Sequence, residues 1–400
     1  MKNTPGELNH PARILLGPGP SSMDPRVYRA MLAPMLGHLD PDFLRIMDDT
    51  QVLLRRLFDT ENHLTFPVSA TGSAGIETAM ANSLEPGDTA VIAQAGFFSA
   101  RMADMAARTG AEVIEVASEP GFPVDPQQVR EAARGKKVKL LGLVHGETST
   151  GVAHDLDAYR QVADELCALL VVDAVATCGG MPLRVDAQRL DICFTATQKC
   201  LSAPPGLAPF TAGPRAEEVF RARKSRVTSW FFDLSYIMKY WGGERTYHHT
   251  APISMVYALR EALRLVDEEG LETRWERHRR CHAALVAGLE AMGLSLLAAP
   301  EHRMWTVTAV KVPLGIEDAK VRRRLMEEFN LEIAGGLGLL KGKIWRIGLM
   351  GYSCSEANVL LLLAALERTL AEEGLKLSAG AGVAAANQAL SRLPAPAATD

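Results

Sequence analysis

The chain has 400 residues, of which 48% are hydrophobic and 22% charged, and its formal net charge is -4 at pH 7. This composition is typical of a globular protein, and the slight negative charge argues against nucleic-acid binding. No apolar run approaches the roughly 18 residues of a membrane-spanning helix, and no signal-peptide core is present, so we expect neither membrane insertion nor secretion. The six cysteines form no CxxC pair, which favours reduced thiols and a cytoplasmic protein.

Short β-rich runs alternate with helical stretches between about residue 60 and residue 215, which predicts βαβ units and a largely parallel sheet. A long amphipathic helix is predicted over residues 253–269, leading into a smaller C-terminal α+β domain. We therefore expect an N-terminal arm (1–23), a large domain (24–268) and a small domain (269–378). Residues 379–400 are small, polar and proline-containing, and this composition predicts a mobile tail.

Polar residues follow three predicted strands at the point where each strand ends. Thr148 follows LLGLV, Asp173 ends LLVVD, and Gln198 and Lys199 follow ICFTAT. Ligands of doubly wound sheets bind beyond the carboxyl ends of the strands. An acid and a lysine at neighbouring ends suit pyridoxal phosphate (PLP), which needs an amine for a Schiff base and a carboxylate for its pyridine nitrogen. By spacing alone, an exposed lysine and a helix-capping aspartate explain the pattern equally well.

Two further segments near the start of the sheet suit a phosphorylated ring. Thr71, Gly72 and Ser73 lie between a strand and a helix, where free N–H groups and the helix dipole favour a phosphate. A plain N-cap at Thr71 or Ser73 is the alternative. Phe98, after the strand TAVIAQ, would place a ring over the pyridine face, and core packing is its alternative use.

His278 and His282 are four residues apart on a predicted helix, a spacing that suits a metal ion. No acidic or cysteine partner completes the set, and the flanking arginines indicate a solvated face. We therefore predict no metal site.

Taken together, several segments resemble the class V aminotransferases of PLP fold type I, specifically the alanine-glyoxylate / serine-glyoxylate aminotransferase group. The resemblance covers about residues 13 to 370 and rests on LLGPGPSSMDPRV, SATGSAGIETAMAN, HGETSTG, VVDAVATCGG, TATQKCLSAPPG, YHHTAP and KIWRIGLMG. The Gln-Lys-(x)4-Pro-Pro-Gly element and YHHT are the most specific. The resemblance implies an α/β fold with a mostly parallel seven-stranded sheet and a smaller C-terminal α+β domain.

The resemblance also implies a role for each matching position. Lys199 would form the Schiff base and Asp173 would pair with the pyridine nitrogen. Ser73 stands where some members have His, and Phe98 where many have Trp. The positions implied to contact PLP are Thr71, Gly72, Ser73 and Gln198 at the phosphate, Phe98 and Val175 at the ring, Thr148 towards the phenolic oxygen, Asp173 and Lys199, and Tyr247 and Thr250.

In this family the YHHT element comes from the other subunit, so the resemblance implies a homodimer with shared active sites. The stretch before Met23 is expected to lie on the partner. Arg346 would clamp the substrate carboxylate, since a guanidinium matches that group bidentately, and an ordinary strand-edge arginine is the alternative. Gly37 and His38 match the segment that reaches over the substrate side chain.

The function implied is transfer of the amino group of a small amino acid, alanine first, to glyoxylate, giving glycine and a 2-oxo acid by a ping-pong cycle. Serine or (S)-ureidoglycine as donor is the alternative, and a lyase of the cysteine-desulfurase type is another. Desulfurases usually carry their reactive thiolate before the arginine strand, whereas Cys354 follows it. A non-catalytic binding module is a further alternative, but it has no need of Lys199, Asp173 and Arg346 together.

Overall fold

Residues 6–392 are the part of the chain that the structure, a computed structural model, describes. The strands, in chain order, are β1 (Ile14–Leu15), β2 (Leu64–Val68), β3 (Thr89–Gln94), β4 (Glu112–Ala117), β5 (Val138–Val144), β6 (Gly146–Glu147), β7 (Val152–Ala153), β8 (Leu169–Asp173), β9 (Ile192–Phe194), β10 (Ala208–Ala212), β11 (Val307–Lys311), β12 (Leu331–Glu332), β13 (Ala334–Gly335) and β14 (Ile344–Gly348). The α-helices are α1 (Pro25–Met31), α2 (Pro41–Phe58), α3 (Gly72–Ser83), α4 (Phe97–Ala107), α5 (Pro126–Ala132), α6 (Leu156–Glu165), α7 (Pro214–Arg221), α8 (Leu234–Trp241), α9 (Ile253–Glu269), α10 (Leu271–Ala291), α11 (Asp318–Phe329), α12 (Glu356–Glu372) and α13 (Ala381–Arg392).

A seven-stranded sheet with the order β2-β10-β9-β8-β5-β3-β4 forms the centre of the larger part of the molecule. Strand β10 runs antiparallel to both of its neighbours, and the remaining neighbours pair in parallel. Every residue of β2, β8, β9 and β10 is buried, as expected where both faces of a sheet are covered. The predicted α/β class with a mostly parallel seven-stranded sheet is confirmed.

The register of the sheet brings several strand ends to one edge. Val144 at the end of β5 pairs with Asp173 at the end of β8, and Asp173 pairs with Phe194 at the end of β9. The residues that follow these strands therefore leave the sheet side by side. Asp173 lies at this edge of the sheet, and Lys199 follows the end of β9 beside it.

A second hydrophobic core lies around the three-stranded antiparallel sheet β11-β14-β13 and the helices α10 to α12. The predicted amphipathic helix over residues 253–269 is present as α9, and α10 begins directly after it. The sequence-derived domain boundaries stay predictions.

The N-terminal segment, residues 14–22, connects the two cores. Strand β1 pairs in parallel with β12, Leu16 is fully buried in the second core, and Gly348 donates its backbone N–H to the Leu16 carbonyl. Farther along, the Ser21 hydroxyl donates to the carbonyl of Lys199 at 2.7 Å. Residues 14–22 thus pack on their own chain, and the expectation that the stretch before Met23 lies on a partner subunit stays a prediction.

The prediction of a mobile tail is wrong for residues 381–392, because these residues form helix α13. Ala386 and Leu390 are buried in the second core. A Cβ on Gly288 of α10 would lie 2.9 Å from the carbonyl oxygen of Gly382, so glycine at the crossing allows the two helices to approach closely. Residues 393–400 lie outside the described part.

His278 and His282 are buried, so the solvated face inferred from the neighbouring arginines is wrong. His278 accepts the backbone N–H of Gly351 through Nε2, at 3.0 Å, and its Nδ1 is 2.7 Å from the Arg274 carbonyl. None of the helices within residues 6–392 combines the length and the apolar character that crossing a bilayer requires.

Candidate active site

A cavity of about 150 Å³ lies at the carboxyl edge of the parallel strands. Nine of the predicted cofactor-contacting residues line it: Thr71, Gly72, Ser73, Phe98, Thr148, Asp173, Val175, Gln198 and Lys199. The remaining lining residues are Ile76, Arg101, Val144, Gly146 and Ala176. The structure thus brings together side chains that are far apart in the sequence.

Lys199 enters this cavity from the turn after β9. Its ammonium group donates a hydrogen bond to the carbonyl oxygen of Pro18. Gly19, which follows Pro18, has a φ of 103°, a backbone conformation that other residues rarely adopt. A Cβ at this position would also lie 2.5 Å from Cδ of Lys199. A glycine is therefore required beside the lysine. Burial lowers the pKa of Lys199 to about 8, and the positive charge of Arg346 acts in the same direction. The neutral form of the amine is therefore much more populated near pH 7 than in an ordinary lysine, and a neutral amine is a nucleophile and a base.

Asp173 closes the floor of the cavity at the end of β8 and is only 3% exposed. Burial raises the pKa of Asp173 to about 7, against the effect of the Val175 N–H, which donates to Oδ1 at 2.8 Å. The negative charge of Glu147 raises this pKa further. A carboxylate in such a place is stabilised by a cation beside it, and a protonated pyridine nitrogen is one.

The opposite end of the cavity is built around the first turn of α3. Thr71 occupies the N-cap position, but its side chain makes no capping hydrogen bond, so the hydroxyl is available to a ligand. A Cβ on Gly72 would lie 2.9 Å from Cγ2 of Val175 and 3.0 Å from Cβ of Ala196, so only a glycine fits there. Within the described residues, the buried Oε1 of Gln198 has no hydrogen-bond partner. Free N–H groups at a helix start, a free hydroxyl and an unsatisfied amide fit a phosphate group.

Phe98 lies on the cavity wall at the start of α4. Its ring is packed edge-on against Phe97, with centroids 5.6 Å apart, and it also touches the large core. The Phe98 ring therefore packs against the core and also lines the cavity.

Glu147 is a positioning residue behind the cavity wall that the sequence reasoning missed. It is fully buried, and its Oε2 accepts the backbone N–H groups of Phe98 and Ser99, each at 3.1 Å. Its Oε1 accepts the Ser149 hydroxyl at 2.6 Å. A carboxylate that accepts hydrogen bonds from the first turn of α4 fixes the position of the Phe98 backbone. The signal was present in HGETSTG, where an acid stands directly before Thr148.

Arg346 lies on β14, the central strand of its sheet, so the strand-edge interpretation is wrong. Its Nε donates to the Gly335 carbonyl at 2.7 Å, and Nη1 donates to the Thr148 carbonyl at 3.4 Å. Burial lowers the pKa of Arg346 to about 10. The side chain does not line the cavity itself, but its hydrogen bond to Thr148 places it next to the wall.

Four predicted residues lie elsewhere in the same chain. Gly37, His38, Tyr247 and Thr250 do not line the cavity. The rings of His38 and Tyr247 are 5.0 Å apart, and Tyr247 is 56% exposed. His249 of the YHHT element reaches Ser69 at the end of β2, with Nε2 2.6 Å from the hydroxyl.

Comparison with known families identifies the class of protein. The model of the class V aminotransferases matches residues 26–356. The chain belongs to this family and is a PLP-dependent transaminase, and the class implied by its motifs is confirmed.

Individual relatives make the placement narrower. The chain is 44% identical over 398 residues to the (S)-ureidoglycine–glyoxylate transaminase of Bacillus subtilis, covering 95% of this chain and 96% of that one. The crystal structure of the ureidoglycine-glyoxylate aminotransferase from Bacillus subtilis matches with a TM-score of 0.94 over 96% of this chain and 100% of the other, which confirms the fold type. The chain is 40% identical over 367 residues to the alanine–glyoxylate aminotransferase of Mus musculus, covering 91% of this chain and 89% of that one.

Proposed function

We propose that this transaminase holds PLP in the cavity between Lys199 and Asp173 and transfers an amino group to glyoxylate, with (S)-ureidoglycine as the donor. The observation that carries the proposal is the convergence of a lysine of lowered pKa, a buried acid and a phosphate-type helix start on one cavity. The names of the relatives supply the acceptor.

The donor in this proposal differs from the one that the motifs placed first. The match to the ureidoglycine enzyme extends over 95% of this chain at 44% identity, against 91% at 40% for the murine alanine enzyme. Alanine stays as the second candidate, because the segments that carry the resemblance are common to both.

Each residue has one task in the proposed reaction. PLP, when bound, supplies a ring that accepts the electron pair left when the substrate loses its α-proton. The Nζ atom of Lys199 takes that proton and returns it, as its lowered pKa allows. Arg346 binds the substrate carboxylate, and Asp173 keeps the ring nitrogen protonated.

A second copy of the chain completes the site in this proposal. Tyr247 and Thr250 are exposed and do not line the cavity of their own chain, which supports their use by a partner. A homodimer then carries two shared active sites.

Cys354 speaks against the desulfurase alternative. The residue is 1% exposed, and burial raises the pKa of its thiol well above the ordinary value. A persulfide-forming cysteine has to be an accessible thiolate. We therefore favour amino transfer over sulfur release.

The half-reaction with single donors tests the proposal. Protein loaded with PLP is mixed with (S)-ureidoglycine, alanine or serine, and loss of the visible absorbance band is followed. Glyoxylate is then added to restore the band. We expect the fastest loss with ureidoglycine, and in Lys199→Ala we expect the band of the lysine-bound cofactor to be absent. If alanine removes the band faster than ureidoglycine does, alanine replaces ureidoglycine as the proposed donor. If neither a donor nor glyoxylate changes the band, the proposal is overturned.

A further inference from the structure

Arg101 is a positively charged side chain on the cavity wall that neither the motifs nor the proposed reaction uses. It lies on α4, one turn after Phe98. Its guanidinium carbon is 5.0 Å from the ring centroid of Phe98 and 5.3 Å from that of Phe97, so cation–π contacts hold it against the wall. Among residues 6–392 it forms no ion pair with a carboxylate. The charge is thus placed at the cavity without a balancing anion.

The side-chain hydrogen bond of Arg101 leads to the first turn of α3. Nη1 donates to the hydroxyl oxygen of Ser73 at 2.9 Å. A guanidinium can only donate, so Ser73 uses an oxygen lone pair here and keeps its own hydrogen for another acceptor. Ser73 lies in the first turn of α3, and an anion is favoured at a helix N-terminus. Both side chains are therefore arranged around a negatively charged group.

We infer that Arg101 binds the phosphate of the cofactor together with Ser73. This inference rests on the proposed function, because it assumes that PLP occupies the cavity. The guanidinium supplies a full positive charge beside a phosphate dianion, and a charge-assisted contact of this kind is stronger than a neutral one. Asp173, the nearby acid whose pKa Arg101 also lowers, would pair with the ring nitrogen in the proposed function and not with the phosphate.

Pyridoxal has the same aldehyde as PLP but no phosphate. Comparing the binding of the two ligands therefore separates a role of Arg101 in phosphate binding from any other role. Each ligand is titrated into the apoenzyme, and the visible absorbance of the lysine-bound form is measured. In Arg101→Met we expect the Kd of PLP to rise roughly tenfold to a hundredfold. The Kd of pyridoxal should stay that of the wild type.

Three further variants serve as controls. Arg108→Met changes an exposed arginine directly after the same helix, which is paired with Asp104, and should change neither Kd. Phe98→Leu reduces the ring on the cavity wall and should weaken both ligands alike. Arg101→Lys keeps the charge and should recover most of the affinity for PLP.

Equal weakening of PLP and pyridoxal in Arg101→Met would overturn the inference, since the side chain would then act on the ring or the fold. Unchanged affinity for PLP would overturn it as well. Arg101→Gln is judged by the same two criteria if Arg101→Met does not fold. If the wild-type protein binds neither PLP nor pyridoxal, the proposed function itself is wrong.

Discussion

Burial lowers the pKa of the Lys199 amine, and the guanidinium charge of Arg346, which comes from a different part of the fold, lowers it further. With a pKa of about 8, the amine loses its proton near physiological pH. We expect the rate at which the apoenzyme captures PLP to rise with pH and to level off above about 8. In Arg346→Met the depressing charge is gone, so the inflection should move to higher pH. Stopped-flow absorbance measures it.

Arg346→Lys is the control, because it keeps the charge and should leave the inflection close to that of the wild type. An inflection that does not move in Arg346→Met would contradict the coupling between these two residues.

The raised pKa of Asp173 predicts how the free energy of unfolding of the apoenzyme depends on pH. This pKa is about 7 in the folded protein, against the ordinary value of 3.8. Between these values the folded protein holds a proton that the unfolded chain releases, so stability falls as the pH rises through about 7. Asp173→Asn stays neutral and should gain several degrees in Tm over the wild type at pH 8 but not at pH 4. Differential scanning calorimetry measures both.

The exposed Asp157→Asn is the matched control and should show no such dependence on pH. An equal change in Tm at both pH values for Asp173→Asn would mean that packing, and not charge, is responsible.

At the scale of residues, the strand-end rule located much of the cavity. Asp173 ends a buried strand, Thr148 and Lys199 follow buried strands, and parallel register brings such ends together. Glu147 and Arg101 escaped prediction because their importance depends on contacts between separate segments, Glu147 with α4 and Arg101 with α3. Neither contact has a local spacing that a sequence pattern can display.

At the scale of elements, α13 shows where composition misleads. Its alanines and glycines resemble a tail, but alanine is the best helix former. Gly382, Ala386 and Leu390 recur every four residues and give one narrow face that fits closely against α10. Small residues here permit close packing, so their presence indicated a helix contact and not mobility.

Substitution on this face tests the role of α13. Ala386 is fully buried, so Ala386→Asp places a carboxylate in the second core, and we expect a loss of about 3 kcal/mol or more in the free energy of unfolding. Urea denaturation followed by circular dichroism measures it. Ala384→Asp, on the exposed side of the same helix, should change stability by less than about 0.5 kcal/mol. Equal effects would mean that α13 does not pack as described.

At the scale of the whole molecule, the shared-site proposal predicts complementation between inactive variants. Lys199→Ala is mixed with a Tyr247→Phe, Thr250→Val double variant under conditions that exchange subunits. In a mixed dimer one site receives Lys199 from one chain and intact Tyr247 and Thr250 from the other. We expect amino-transfer activity to reappear in the mixture. Activity no higher than the sum of the separate variants would show that each site is made by one chain.

The N-terminal segment has a consequence for the order in which the molecule is made. Residues near Ile14 leave the ribosome long before β12 and β14, which hold them in the folded protein. Until then Pro18 has no fixed position against Lys199, and one wall of the cavity is missing. Contacts this distant in sequence also form slowly. We therefore expect the nascent chain to acquire its cofactor only after β12 and β14 have left the ribosome.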